Sequence, residues 1–223
     1  MNLISRLIYI PVGRDEIQGD LHILEKSTSL VVFVHGSGSS WHSPRNKYVV
    51  DVLNDSGIAT LLIDLLTHDE ELIDFQTARL RFDIDLLAER LMTVTHWLHG
   101  QSSTDKLHLG YFGASTGAAA ALVAAGRQPQ FVEAIVSRGG RPDLAGSWLL
   151  KVHAPTLLIV GGNDKIVIEL NYKAAAELRA EHRLEIVPNA GHLFEEPGAL
   201  EQVAALARDW FEEHLILANR RAA

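Results

Sequence analysis

Short apolar runs recur along the chain, and each has the length of a buried or half-buried strand. The first two are separated by GRDE, a turn-forming cluster, which predicts a hairpin. The later runs are more continuously apolar and rich in leucine or β-branched residues, a pattern typical of strands covered on both faces. The runs are 5–12, 17–24, 30–34, 59–64, 106–112, 131–137, 156–161 and 183–188.

Segments with helical spacing of apolar residues alternate with the later runs. They cover 45–55, 82–99, 116–126, 168–180 and 198–215. Strands joined through helices imply a mostly parallel sheet with helices on both faces, here preceded by the antiparallel hairpin. We therefore predict a single α/β domain over residues 1–223 with a doubly wound, eight-stranded sheet, and we expect the tail ANRRAA (218–223) to fray.

Composition narrows the class of protein. The net charge of −8 and the pI of about 5.7 disfavour binding to nucleic acid or to an anionic membrane surface. The chain has no cysteine, which excludes disulfides, thiolate metal sites and a cysteine nucleophile. No apolar stretch approaches the roughly 18 residues of a membrane span or forms a signal-peptide core. We expect a soluble, cytoplasmic protein, and the sequence makes no prediction of its oligomeric state.

Residue types used in catalysis follow four of the predicted strands. Ligands of an open parallel sheet bind at the carboxyl ends of its strands, so these positions are the first place to look for a site. The segments are HGSGSS (35–40), GASTG (113–117), GGNDK (161–165) and NAGH (189–192).

GASTG has the form of a nucleophile elbow, a sharp turn between a strand and a helix that exposes a serine. Gly113 and Gly117 leave room for close packing of strand against helix around Ser115. The helix start behind the serine also presents amide groups to developing negative charge. The alternative is an ordinary glycine-bearing turn, which a chain with 17 glycines could contain by chance.

Asp164 and His192 complete a candidate triad with Ser115 in the chain order Ser, Asp, His. Each follows its own predicted strand, so the three side chains can meet at one edge of the sheet. Taken singly, Asp164 could be a turn or capping residue and His192 a loop histidine. The three together favour catalysis, with Ser115 as nucleophile, His192 as general base and Asp164 orienting the histidine.

The HGSGSS loop supplies small residues that can turn backbone amides toward Ser115. We predict that the backbone N–H groups of Ser37 and Thr116 form the oxyanion hole. His35 and Gly36 are expected to shape the loop rather than take part in the chemistry.

HGSGS, GASTG, GGNDK and AGHLF stand where the α/β-hydrolase superfamily has its oxyanion loop, nucleophile elbow, acid turn and histidine loop. The chain resembles that superfamily over nearly its whole length, and specifically the compact members grouped as the dienelactone hydrolase family. The resemblance implies the α/β-hydrolase fold. The namesake enzymes of the family use a cysteine where this chain has Ser115, so dienelactone hydrolysis itself is not assumed; the serine resembles the wider esterase, lipase and acyl-peptidase pattern.

The expected reaction is cleavage of an ester-like bond (a carboxylic ester, thioester or lactone) in a small soluble substrate through an acyl-enzyme, without a metal or organic cofactor. One alternative is a catalytically weak ligand-binding or regulatory module that keeps the fold. Another is an acyl-peptidase, acyl transferase or carbon-carbon hydrolase that uses the same triad.

Only 18 positions separate Ser137 from Pro155, which leaves no room for a helical cap domain after the sixth strand. The segment 67–81 is predicted to be irregular and could partly cover the site.

Several arginines lie near the predicted strand ends: Arg45, Arg81, Arg138 and Arg141. They could bind a carboxylate or phosphate of the substrate through bidentate hydrogen bonds. The alternative, which we favour, is that Arg138 or Arg141 pairs with Asp143 and fixes the loop.

Overall fold

The computed structural model describes residues 3–217 and contains one eight-stranded sheet. The predicted fraying of 218–223 lies outside the described residues. The strands stand in the order β1-β2-β4-β3-β5-β6-β7-β8, with β1–β2 and β2–β4 antiparallel and all other pairs parallel. The strands are β1 (Leu3–Val12), β2 (Asp15–Leu24), β3 (Ser29–Val34), β4 (Ala59–Ile63), β5 (His108–Ala114), β6 (Ala134–Arg138), β7 (Thr156–Gly161) and β8 (His182–Val187). The predicted hairpin and the mostly parallel eight-stranded sheet are confirmed.

Helices cover both faces of the sheet, as the alternating pattern predicts. They are α1 (Pro44–Asp55), α2 (His68–Thr77), α3 (Ile84–His99), α4 (Thr116–Arg127), α5 (Lys165–Glu177) and α6 (Ala199–Phe211). Short 3₁₀ segments occupy Leu80–Phe82 and Pro142–Lys151, and Glu212–Leu217 continues α6 as a π-helix. None of the helices between residues 3 and 217 is long and apolar enough to cross a membrane.

Two apolar cores lie on opposite faces of the sheet. Helices α1 and α6 pack together over one face, and α3, α4, α5 and the 142–151 segment cover the other. Every residue of β3, β4, β6 and β7 is buried, which explains why their sequences are largely apolar instead of alternating. Burial of each large aliphatic side chain contributes about 1.5–3 kcal/mol, so this double core accounts for most of the driving force for folding.

Helix α2 is a departure from the sequence prediction, which made 67–81 irregular. Thr67 and Glu70 form a reciprocal capping box at its start, which satisfies two backbone N–H groups. Its apolar residues Leu72, Ile73 and Phe75 lie within one turn and are exposed, so no apolar stripe runs along the helix for periodicity to detect. The 142–151 segment fills the interval after β6 with 3₁₀ structure, and no cap domain is present within residues 3–217.

The chain changes direction in the sheet at β3. From β3 it passes to β4 on one side and then returns to β5 on the other. Such a switch point opens a crevice at the carboxyl ends of the two diverging strands, the usual ligand site of open α/β sheets. The loop 35–43 follows β3 and Ser115 follows β5, so the two segments meet in this crevice.

Candidate active site

Ser115 occupies a strained turn between β5 and α4. Its backbone has φ +50° and ψ −120°, a region that costs a non-glycine residue about 1–3 kcal/mol. A Cβ on Gly113 would lie 2.4 Å from Ala118 Cα, and one on Gly117 would lie 2.4 Å from the Val34 carbonyl oxygen. The flanking glycines therefore permit the close approach that a nucleophile elbow needs.

The segment that continues β6 clamps this turn. Ser115 donates its backbone N–H to the carbonyl oxygen of Arg138 over 3.2 Å, and Arg141 donates its N–H to the carbonyl oxygen of Ser115 over 3.0 Å. In the β5–β6 register Ala114 stands opposite Arg138. The strained serine is thus held by backbone hydrogen bonds on both sides of its peptide unit, which offsets part of its strain.

Asp164 and His192 are in direct contact. The Nδ1 of His192 lies 2.7 Å from Oδ2 of Asp164, the distance of a charge-assisted hydrogen bond. Asp164 stands at the start of α5 directly after the turn that ends β7, and its side chain is largely shielded, whereas the His192 ring is open to solvent. The structure brings together the two residues that the sequence placed 28 positions apart.

Backbone hydrogen bonds join the acid turn to the histidine loop. Asn163 donates its backbone N–H to Ala190 O over 2.9 Å and its side-chain amide to Asn189 O over 2.8 Å. On the other side of the loop, the Glu196 carboxylate accepts the Gly191 N–H over 2.9 Å. Asn163 and Glu196 were missed by sequence reasoning, although their proximity to Asp164 and His192 in the chain made them available as positioning residues.

The predicted oxyanion donors stand side by side. The Ser37 N–H donates to the Thr116 hydroxyl oxygen over 3.0 Å, which folds the loop after β3 over the beginning of α4. Thr116 is the first residue of α4, where a backbone N–H has no partner within the helix. The two amides therefore lie at the same corner of the site, with the Ser37 N–H occupied by the threonine side chain in this structure.

Asp64, at the end of β4, braces the loop that carries Ser37. Its Oδ1 accepts the Trp41 backbone N–H over 2.8 Å and lies 3.0 Å from the His35 ring nitrogen Nε2. Burial lowers the pKa of His35, but the hydrogen bond and the charge of Asp64 outweigh burial, so the pKa is raised above its usual value of 6.5. His35 shapes the loop, as the sequence predicted, and Asp64 is the partner that the sequence did not identify.

Two cavities flank the loop 36–39. The larger, about 380 Å³, is lined by Ser115 and His192 together with Arg45, Asn46, Arg138 and Leu193. The smaller, about 170 Å³, lies on the other side of the loop, and most of its surface is apolar. Its lining includes four apolar side chains and three charged ones, together with Thr116: Leu65, Leu66, Phe75, Leu87, Glu71, Asp74 and Arg81. Within residues 3–217 no cluster of histidine, aspartate and glutamate is arranged to hold a metal ion.

Two of the candidate arginines are engaged in ion pairs outside the larger cavity. Arg141 forms a bidentate pair with Asp143, with nitrogen-oxygen distances of 2.9 and 2.8 Å. Arg81 binds Asp74 over 2.5 Å and lines the smaller cavity, next to helix α2. The segment 67–81 therefore borders the smaller cavity, whose lining includes Thr116 but neither Ser115 nor His192.

The other two arginines line the cavity that contains Ser115. Arg45 pairs with Glu195 over 3.0 Å near the surface. Arg138 is only 8% exposed, and within residues 3–217 no group accepts a hydrogen bond from its Nε or Nη1. Of the two arginines predicted as partners of Asp143, the structure gives that role to Arg141 and leaves Arg138 facing the cavity.

The chain is similar to known proteins over most of its length. Residues 27–218 match the dienelactone hydrolase family. A dienelactone hydrolase from Anabaena variabilis is 55% identical, with a TM-score of 0.94 over 96% of this chain and 100% of that chain. Est1E from Butyrivibrio proteoclasticus shares the fold at 15% identity, with a TM-score of 0.78 over 93% of this chain and 98% of that chain.

A Mycobacterium tuberculosis protein named "Putative phosphoribosyl transferase" is 56% identical over 208 residues, which make up 93% of this chain and 46% of that protein. The chain thus spans about half the length of this curated relative. The predicted fold and family resemblance are confirmed, and the prediction of a hydrolase is confirmed at the level of the family. The chain belongs to the dienelactone hydrolase family of α/β-hydrolases.

Proposed function

We propose that this chain is a serine esterase in which Ser115 attacks the carbonyl, His192 acts as general base and Asp164 orients the histidine. The observation that carries the proposal is the 2.7 Å contact between Asp164 and His192, beside a cavity that Ser115 and His192 line together. With Nδ1 bound to the carboxylate, Nε2 is the ring nitrogen available to the serine hydroxyl. The strained elbow at Ser115 supports the nucleophile assignment.

In this mechanism His192 accepts the Ser115 proton as the serine oxygen bonds to the ester carbon. The tetrahedral intermediate then collapses, and His192 returns the proton to the departing alcohol oxygen. Water repeats the sequence on the acyl-enzyme and releases the acid. The carboxylate of Asp164 stabilises the imidazolium that forms in each half of the reaction.

The backbone N–H groups of Thr116 and Ser37 are the oxyanion donors in this proposal. Both lie at the corner between loop and helix, where the Ser37 N–H donates to the Thr116 side-chain hydroxyl over 3.0 Å. In the free protein the Thr116 hydroxyl oxygen accepts the Ser37 N–H and orients it, and during the reaction the oxyanion replaces this hydroxyl as the acceptor. Thr116→Val should therefore lower kcat more than it raises KM, because the donor loses its orientation while the cavity keeps its size.

The cavities favour a small ester. The space beside Ser115 is about 380 Å³, and the apolar cavity beyond the loop is about 170 Å³, enough for a short hydrocarbon group. Short-chain aryl esters are the appropriate first substrates.

The proposal is tested by labelling with a fluorophosphonate probe and by ester hydrolysis. Wild-type protein should be labelled on Ser115, and Ser115→Ala should lose both labelling and about six orders of magnitude in kcat. Ser102→Ala, a substitution at an exposed serine, is the matched control and should behave as wild type. Absence of labelling in folded wild-type protein would contradict the proposal and favour a ligand-binding module.

A panel of esters, thioesters, lactones, amides and diketones then separates the possible reactions of the same triad. Preferential turnover of the esters supports the proposal, and preferential turnover of amides or diketones would replace it with a peptidase or a carbon-carbon hydrolase. The transferase name belongs to a protein of which this chain spans less than half, and it does not enter the proposal.

A further inference from the structure

We propose that Arg138, assisted by Arg45, forms a subsite for an anionic group of the substrate, a carboxylate or a phosphate, beside Ser115. The proposal rests on the proposed esterase function, because it concerns the substrate of the same site. It assigns a ligand-binding role to one arginine out of the four that the sequence offered.

Within the described part of the chain, the Arg138 guanidinium is buried without an ionic partner. The residue is 8% exposed, and its buried Nε and Nη1 find no acceptor among residues 3–217. A buried polar group without a partner is costly, and a buried charge is more so, which is why such groups in proteins are normally paired. An anion in the adjoining cavity would compensate the charge of this guanidinium.

Arg138 lies next to the nucleophile. Arg138 ends β6 opposite Ala114, the residue before the nucleophile, and its carbonyl oxygen holds the Ser115 backbone N–H. Its side chain lines the cavity that Ser115 and His192 also line. An anion on Arg138 would therefore belong to the same small molecule as the ester bond in reach of Ser115.

The charge of Arg138 is reinforced by the neighbouring Arg45. Burial and, to a smaller extent, the neighbouring Arg45 lower the pKa of Arg138 to about 10, so the group is still protonated at neutral pH. Arg45 already shares its charge with Glu195, whose side chain is largely exposed. The inner arginine thus retains an uncompensated positive charge, and an anion near it would lie within the field of both guanidinium groups.

The test compares esters that differ only in charge. One pair is 4-nitrophenyl hemisuccinate and its neutral methyl ester, which carry the difference on the acyl side. The other pair is 3-acetoxybenzoate and its methyl ester, which carry it on the alcohol side. Wild-type protein should prefer the anionic member of at least one pair, and Arg138→Met should lower kcat/KM for that member about 30- to 100-fold and for its neutral partner less than threefold.

Two further variants separate local recognition from net charge. Arg208→Met removes one positive charge from an arginine that pairs with Asp209 on helix α6, outside the cavity, and it should leave both members of each pair unchanged. Arg138→Lys keeps the charge without the planar fork and should recover part of the preference. The proposal would be overturned if Arg138→Met lowered kcat/KM equally for the charged and the neutral esters. It would also be overturned if the wild-type protein hydrolysed both members of each pair with the same kcat/KM.

A binding measurement keeps this inference separate from the esterase proposal. Titration calorimetry with succinate and with inorganic phosphate should detect binding to wild type and to Ser115→Ala, and about tenfold or greater weakening in Arg138→Met. The stronger of the two ligands identifies the chemistry of the group. If the esters are not hydrolysed but this binding pattern is found, the esterase proposal fails and the anion subsite stands; if the anions bind all variants equally, the subsite is refuted.

Discussion

Replacement of Gly161 by alanine should disable the site without touching a reacting group. A Cβ on Gly161 would lie 2.4 Å from the Gly191 carbonyl oxygen and 2.5 Å from that of Ala190, whereas ordinary contacts begin near 3.4 Å. The backbone just before His192 would therefore have to retreat by about 1 Å. The His192–Asp164 contact of 2.7 Å depends on the position of that backbone.

The expected loss follows from these distances. A misplacement of about 1 Å in a catalytic group costs about 100-fold in rate, and overpacking of this kind costs about 1–3 kcal/mol of stability. We expect kcat/KM for a short-chain aryl ester to fall about 100-fold. The Tm should fall by several degrees, since each kcal/mol corresponds to about 2–4 °C in a domain of this size.

Gly162→Ala is the matched control, because its Cβ would meet the Val187 carbonyl oxygen at 3.2 Å and needs an adjustment of only a few tenths of an ångström. It should retain activity within a few-fold of wild type. The assay is initial-rate kinetics with a thermal melt on the same preparations. Equal activities for wild type and Gly161→Ala would refute the idea that close approach of these two loops sets the Asp164–His192 geometry.

Further predictions follow from the polar contacts. Asp164→Asn should lower kcat by about 10⁴-fold with little change in Tm, and retention of activity would exclude an orienting role for the carboxylate. Burial raises the pKa of Asp74, but hydrogen bonds from Arg81 outweigh burial and lower the pKa below 3.8. The pair should therefore stabilise helix α2 above about pH 3.8 and lose this effect as the pH falls further. Asp74→Asn should speed hydrogen exchange in α2 at pH 7 by an amount equivalent to about 1–3 kcal/mol. Because the pKa of His35 is raised, its pair with Asp64 stabilises the folded protein fully below about pH 6.5, and this stabilisation fades as the pH rises through the raised pKa. Asp64→Asn should lower the free energy of unfolding by about 1 kcal/mol at pH 6 and by less at pH 9. Urea melts that show the same loss at both pH values would contradict this pH dependence.

The fold could be predicted from the sequence because most of its elements carry strong local patterns. Strands β3 and β7 are apolar after their first residue, and helix α3 spans 16 residues. Helix α2 could not be found in this way, since its one buried residue is Asp74 and its apolar residues face solvent. Its capping box, Thr67 with Glu70, was the available signal, and it marks where a helix begins without showing what the helix packs against.

The candidate site was predictable where residue type and chain order coincide. Ser115, Asp164 and His192 follow the carboxyl ends of β5, β7 and β8, so the fold alone brings them to one edge of the sheet. The contacts that hold the loop after β3 were not predictable. Asp64 contacts His35 and Trp41, and these partners are specified by three-dimensional packing rather than by spacing along the sequence. The same holds for Arg45, whose partner Glu195 lies 150 positions away in the chain.

Arg138 shows why stability and function must be weighed separately at this site. Replacement of buried ionic groups by apolar residues is often neutral or stabilising by about 1–4 kcal/mol, and here the guanidinium lacks even the partner that would offset its desolvation. Arg138→Met should therefore melt at the same temperature as wild type or higher. If the variant gains stability and loses selectivity for anionic esters, the role of Arg138 is in binding. If the variant is strongly destabilised, the aliphatic part of the Arg138 side chain contributes to packing around the turn at Ser115. The melt and the ester pairs together decide between a recognition role and a packing role for this one side chain.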